Sequence, residues 1–211
     1  MSDSLLIQLR DLIAEWPDLS SGADMALVED SLVLLDHLGD ARRVADVGSG
    51  GGLPGLPLKI ARPDLELVMI ESNRRRAAFL VATTARLGLA GVTVVGLRAE
   101  DAGREPSLRE TFDAVTVRAL APMAVLAELC LPLLRVGGRL LAMKVEAMAE
   151  VTAAGPAIRE LGGRLLAVAA APTAARSRGQ VVVVAKVAPC PDRYPRRAGV
   201  PARRPLGIKR T

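Results

Sequence analysis

The stretch from Val44 to Leu58, VADVGSGGGLPGLPL, constrains this chain more than any other. Val44 to Val47 reads as a short buried strand. Five glycines follow within eight positions (Gly48, Gly50, Gly51, Gly52 and Gly55), and Leu56 to Arg62 opens a helix. A glycine-rich turn between a parallel strand and a helix is a nucleotide-binding device. Glycine tolerates φ > 0 and lets a ligand approach the backbone closely. The helix N-terminus adds unpaired N–H groups beside it.

Two nucleotides compete for this turn. Gly50, Gly52 and Gly55 match the dinucleotide fingerprint G-x-G-x-x-G. Asp46, Gly48 and Gly50 match D-x-G-x-G, the pattern on the first strand of S-adenosylmethionine (SAM) methyltransferases. Asp46 favours SAM, because a carboxylate there opposes a pyrophosphate but suits an ammonium and a sulfonium. Glu71 ends the next strand, Leu67 to Ile70, and is placed to accept from both hydroxyls of a ribose.

The pattern around the turn sets the fold class. Strands are predicted at 43–47, 66–70, 92–97, 113–117 and 138–143, alternating with helices at 54–61, 73–87, 121–134 and 147–161. This alternation implies an α/β protein with a Rossmann-like parallel sheet covered on both faces. Apolar runs such as AVTV fit strands buried on both sides. Two further β segments, 164–169 and 180–187, have no helix between them and imply an antiparallel hairpin at one edge. Helical periodicity over Ser4–Glu15, stopped by Pro17, and over Asp24–Leu38 implies an N-terminal helical cap. His37, near the end of the second of these helices, reads as a helix-terminus partner. The expected division is a cap over 1–40, a SAM-binding domain over 41–188 and a basic tail over 189–211.

With 211 residues the chain can bury a sizeable core, and with only four aromatic residues that core must be aliphatic. Cys130 and Cys190 have neither disulfide-framework nor metal-ligand spacing, and no metal is expected. No signal-like start or long apolar run is seen, which points to a cytoplasmic protein without a membrane partner, a monomer by slight preference. The charge is lopsided. From Lys186 onward eight Lys and Arg face one acid, a net +7, against 20 basic and 22 acidic residues before it. Such a tail suits a polyanion.

In an open α/β sheet, ligands bind beyond the C-terminal strand ends at the topological switch point. The residues expected there are Gly48 to Leu53, Glu71, Ser72 and Asn73, then Arg98, Ala99 and Glu100, then Arg118 and Lys144. Ala99 and Glu100 suit an adenine edge, with one backbone N–H and one carboxylate. Arg118 ends a buried strand. It is open to three roles: bonding a cofactor carboxylate, stacking on a base, or pairing with Asp113 or Glu100.

The segments VGSGGGLPGLPL, ESNRRRAAFL, RAED, FDAVTVRAL and GGRLLAMK, in this order and spacing, resemble the RsmG (GidB) family, as does the ending YPRRAGVPARRPL. The resemblance covers 44–211 and implies a SAM-dependent methyltransferase acting on N7 of a guanine in small-subunit (16S) ribosomal RNA, with that RNA or the small subunit as partner. By resemblance Gly48, Leu53, Ala99, Glu100 and Arg118 are cofactor positions, beside Asp46, Gly50 and Glu71 read from the turn. The N-terminal part departs from the family pattern. Trp16 is followed by Pro17 instead of an Asn-rich segment. Asp30 and Ser31 stand, while Ala26 and Leu27 replace an Arg and a His.

Guanine N7 carries a free lone pair, so attack needs no general base. The segment VRALAP after the fourth strand lacks the D/N-P-P-Y/F motif of exocyclic-amine methylation, and neither cysteine sits where a carbon-5 nucleophile is needed. The RNA is expected on Lys144 and on the tail arginines Arg193, Arg196, Arg197, Arg203 and Arg204. Removing the tail is then expected to leave SAM affinity nearly unchanged, unless Tyr194 and the prolines pack on the sheet. Two other functions remain open: a same-fold methyltransferase for another RNA or a small molecule, and a SAM- or RNA-binding module without turnover.

Overall fold

The computed structural model describes residues 2–16, 19 and 23–207. The helix stop expected at Pro17 and the last four residues of the basic tail lie outside them. The chain begins with α1 (Ser2–Ala14), α2 (Met25–Ser31), a 3-10 turn and α3 (Leu35–Leu38). The Asp24 side chain accepts from the Ala26 N–H at 2.9 Å and starts α2, a cap that contributes about 1 kcal/mol. The central alternation follows as β1 (Arg43–Val47), α4 (Gly55–Ala61), β2 (Glu66–Ile70), α5 (Arg74–Arg86), β3 (Val92–Val95), α6 (Ala99–Ala102), β4 (Phe112–Arg118) and α7 (Met123–Cys130). After a second 3-10 turn come β5 (Leu134–Val145), α8 (Met148–Glu160), β6 (Gly163–Ala170), β7 (Gly179–Lys186) and the one-turn α9 (Val200–Arg203).

The seven strands lie in the order β3-β2-β1-β4-β5-β7-β6. The first five are parallel, and β7 runs antiparallel between β5 and β6. This is the expected mixed sheet with its hairpin edge. The chain switches direction between β1 and β4, so the crevice lies beyond their C-terminal ends.

Strand alternation divides the core into two layers. Ala45, Val47, Val115 and Val117 pack with α7 and α8 on one face. Val44, Leu67, Met69 and Ala114 pack with α4, α5 and the N-terminal helices on the other. Leu9 and Ile13 of α1 are fully buried in this second layer. The N-terminal helices are therefore part of the core that backs the glycine turn, and Leu or Ile burial contributes about 1.5–3 kcal/mol per side chain.

Several features differ from the sequence reading, among them the end of β3, which stops at Val95 instead of 97. The helix expected to run to 134 stops at Cys130 and passes into a 3-10 turn, since Pro132 has no N–H to continue an α-helix. β5 starts at Leu134, not 138, and carries Gly137 and Gly138 inside it. A Cβ on Gly138 would lie 2.9 Å from the carbonyl oxygens of both Phe112 and Asp113, so the glycine lets β5 stay against β4 where the register shifts. The tail lies against the body, where Tyr194 is buried in the first core layer, the packing alternative raised for it above.

Candidate cofactor site at the switch point

Three positive-φ glycines shape the turn after β1: Gly48 at +71°, Gly50 at +53° and Gly52 at +88°. The Gly48 N–H continues the β1–β2 ladder by donating to Ile70 O at 2.9 Å. A Cβ on Gly48 would stand 2.8 Å from Leu120 Cδ1. The turn is thus closed from above by the loop after β4.

Glu71, at the end of β2, bridges two backbones. Its Oε2 accepts from the Gly50 N–H at 2.9 Å and its Oε1 from the Asn73 N–H at 2.8 Å. Asn73 then caps α5, accepting from the Arg75 and Arg76 N–H groups at 3.0 and 3.1 Å. One carboxylate therefore ties the glycine turn to the start of the neighbouring helix.

A cavity of about 380 Å³ opens here, lined by Gly48, Glu71, Ala99, Glu100 and Arg118 among others. The fold brings these five sequence-predicted residues together from the ends of four different strands. Glu100 is 4 % exposed, and its Oε1 accepts from the Gly199 N–H at 2.7 Å. Its Oε2 lies 3.4 Å from Arg98 Nε.

Arg118 pairs with neither Asp113 nor Glu100. Its Nη1 donates to Leu27 O at 3.1 Å, and Asp30 Oδ2 lies 4.0 Å away. Asp113 instead accepts from the Arg42 and Arg43 N–H groups at the start of β1 and from Arg135. Burial pushes the Arg118 guanidinium below its usual range, with Asp30 and then Asp46 opposing the shift. Asp30 is fully buried, and its main partner is Arg176, at 2.7 Å on the β6–β7 loop. Arg118 thus joins α2 to the cavity wall.

Three expected cofactor residues do not line the cavity. Asp46 is on the Val44 side of β1 and so faces α4. Its Oδ1 accepts from Thr116 Oγ1 at 2.9 Å, and a Cβ on Gly55 would meet Oδ2 at 2.9 Å. Burial raises its pKa to about 6 against the lowering effect of the Thr116 bond. Its carboxylate supports the turn from beneath. Leu53 is buried in the second core layer. Gly50 turns its N–H to Glu71.

The basic residues also separate. Lys144 is committed to Ala121 O at 2.7 Å and Glu150 at 2.9 Å. Arg196 forks onto fully buried Glu128, Nε to Oε1 at 2.8 Å and Nη2 to Oε2 at 2.6 Å. Both cations, expected on RNA, are held in ion pairs with the body, Arg196 by a carboxylate that is fully buried and Lys144 by one that is half-buried. Arg193 bonds Glu160 at 3.3 Å but stays exposed. Arg197, Arg203 and Arg204 are exposed. Tyr194 is 5 % exposed, so the tail packs on the body. Sequence reasoning missed Leu120, Val125, Leu129 and Ala202 on the cavity wall. Val125 and Leu129 carry the i, i+4 spacing of one helix face. Ala202 lies in a segment without periodicity and carries no such signal.

Cys130 is fully buried within α7, and burial pushes its thiol up, away from nucleophilic use. Among the described residues no group of His, Cys, Asp and Glu is arranged to hold a metal ion, and no helix is long and apolar enough to cross a membrane.

A five-stranded parallel sheet reversed at β1/β4, an antiparallel β7 inserted at the edge, and a glycine turn facing an acidic strand end define a Rossmann-like class I methyltransferase fold. Solved structures agree in fold. The antibiotic-resistance methyltransferase Kmr superposes with a TM-score of 0.56 at 20% identity, over 72% of this chain and 92% of that one. A mutant of MtNAS in complex with S-adenosylmethionine gives 0.60 at 19%, over 88% and 73%. The family model GidB, rRNA small subunit methyltransferase G, matches residues 24–177, and the chain belongs to that family. The ribosomal RNA small subunit methyltransferase G of Roseiflexus sp. (strain RS-1) is 50% identical over 84% of this chain and 76% of its own length. That of Rubrobacter xylanophilus is 47% identical over 83% and 69%.

Proposed function

We propose that this chain is the SAM-dependent methyltransferase of its family for small-subunit ribosomal RNA, and that its target atom is N7 of a guanine. The observation that carries the reading is the convergence of Gly48, Glu71, Glu100 and Arg118 on one cavity at the switch point. These residues suit SAM. The turn has no side chains to fill the ligand space, Glu71 offers acceptors for ribose hydroxyls, and Glu100 with the Ala99 N–H suits an adenine edge. Arg118 is the cation for a carboxylate. When bound, SAM supplies an electrophilic methyl on a sulfonium.

The chain's own part is positioning. Guanine N7 brings its lone pair, so no residue need take a proton before attack, and the barrier falls mainly through alignment. The cavity's carboxylates therefore serve binding. The exposed Arg193, Arg197, Arg203 and Arg204 supply phosphate contacts outside the cavity. A ribosomal substrate places the work in the cytoplasm. Labelled SAM, incubated with isolated small subunits, free RNA and protein, should place label in ribosomal RNA. Borohydride–aniline cleavage followed by primer extension should then stop at one guanine. Label confined to protein, or labelled RNA that resists cleavage, would overturn the assignment.

A further inference from the structure

The C-terminal segment is fastened to the body at successive points. The Cys190 N–H donates to Glu110 Oε1 at 2.6 Å, Arg109 Nη1 to Tyr194 O at 2.7 Å, and Arg104 Nε to Pro195 O at 2.7 Å. The heaviest fastening is Arg196, whose side chain forks on Glu128 while its own N–H donates to Glu128 Oε1 at 2.8 Å. Glu128 lies on α7 between Val125 and Leu129, and both of these line the cavity. Three residues beyond Arg196, Gly199 turns at φ +77° and gives its N–H to Glu100. Ala202, on α9, lines the same cavity.

We propose that residues 190–204 complete the cofactor site, with Arg196 as the positioning residue that holds the Gly199 N–H on Glu100 and Ala202 at the cavity wall. The inference rests on the SAM reading above and adds a part of the chain to it. A carboxylate as buried as Glu100 is costly unless hydrogen-bonded, and Gly199 is its short-range donor. With Oε1 taken, the carboxylate is held in one orientation, and Oε2, whose neighbour at 3.4 Å is the exposed Arg98, can accept from an amino donor entering the cavity. Arg196 touches no ligand. It acts through Glu128, since releasing its fork frees the segment that carries Gly199 and Ala202. A purely structural tail would add stability and leave the cavity as it is. The geometry predicts more: cofactor affinity and segment attachment are one linked equilibrium, so each stabilises the other.

The test is calorimetric titration of SAM into the full-length wild type, Arg196→Ala, Arg196→Lys and Ala202→Trp, with circular dichroism on each to establish folding. Arg196→Ala should weaken SAM binding by at least about tenfold, and Arg196→Lys should recover part of the affinity. Ala202→Trp leaves the Arg196–Glu128 pair intact and should block the cavity, which keeps the proposal testable if Arg196→Ala does not fold. Hydrogen exchange at the Gly199 amide should slow when SAM is added to the wild type. Unchanged affinity in folded Arg196→Ala, or in Ala202→Trp, overturns the role of the segment while leaving the function intact. A wild type that binds no SAM overturns the cofactor assignment itself.

Discussion

The Glu71 carboxylate holds the Gly50 N–H at 2.9 Å through one oxygen and the Asn73 N–H at 2.8 Å through the other. It is a brace between the glycine turn and the start of α5 as well as an acceptor facing the cavity. Glu71→Gln keeps the shape but turns an NH2 toward one of the two backbone donors. SAM affinity should fall about tenfold, roughly 1.4 kcal/mol. Single-turnover methylation at saturating SAM should stay close to wild type, because no base is needed. Loss of that rate with SAM fully bound would make the carboxylate a participant in the chemistry.

Gly48 and Gly50 both have positive φ, but their surroundings differ. A Cβ at Gly50 meets only Gly48 O at 3.8 Å, whereas one at Gly48 collides with Leu120. Gly50→Ala should therefore cost about 1–2 kcal/mol of backbone strain. Gly48→Ala should cost more and displace the loop over the cavity, with SAM affinity falling further than in Gly50→Ala. Melting temperature and SAM titration on both variants check the order.

Asp46 gives a pH signature. Its pKa is about 6 in the fold, against 3.8 when unperturbed. The folded state thus keeps a proton that the unfolded chain has lost between these values. Stability contributed by this group falls as pH rises from about 4 to about 6 and is level above, the reverse of a paired carboxylate. Asp46→Asn removes the slope. Denaturant unfolding at pH 4.5 and 7.5 should show the pH 4.5 advantage shrinking by about 2 kcal/mol in the variant. An identical pH difference in both proteins refutes it.

The exposed arginines and the anchored one should behave oppositely. Replacing Arg197, Arg203 and Arg204 together by Ala should leave the melting temperature in place. It should lower the log–log salt slope of RNA binding by roughly 0.7–0.9 for each phosphate that is no longer neutralised. Ending the chain before Pro191 removes Tyr194 and Arg196 and should lower the melting temperature as well. A triple variant with an unchanged slope would remove the phosphate role.

Much of the fold was legible because its signals are local. β1, β2, α4 and α5 fall within a residue or two of their expected limits, since apolar runs and caps act over a few positions. The hairpin edge followed from the absence of a helix between 170 and 179. What misled was also local: the strand expected from 138 begins at Leu134, and the helix expected to run to 134 stops at Cys130, ahead of Pro132.

The sequence by itself determined the strand, glycine turn and helix, the acidic residue ending the next strand, and the family these belong to. Those features lie within a few residues of each other, where backbone conformation and side-chain period decide the outcome. The tertiary structure alone decided which charges are available. Arg196 meets Glu128 across 68 residues, Gly199 meets Glu100 across 99, and Arg176 meets Asp30 across 146. A net charge of +7 in a tail cannot reveal that a buried Glu128 holds one of its arginines, because pairing depends on burial and burial on the packed whole. By the same physics Asp46 is taken up by Thr116 of the neighbouring strand, 70 residues away, a partner that no local pattern announces.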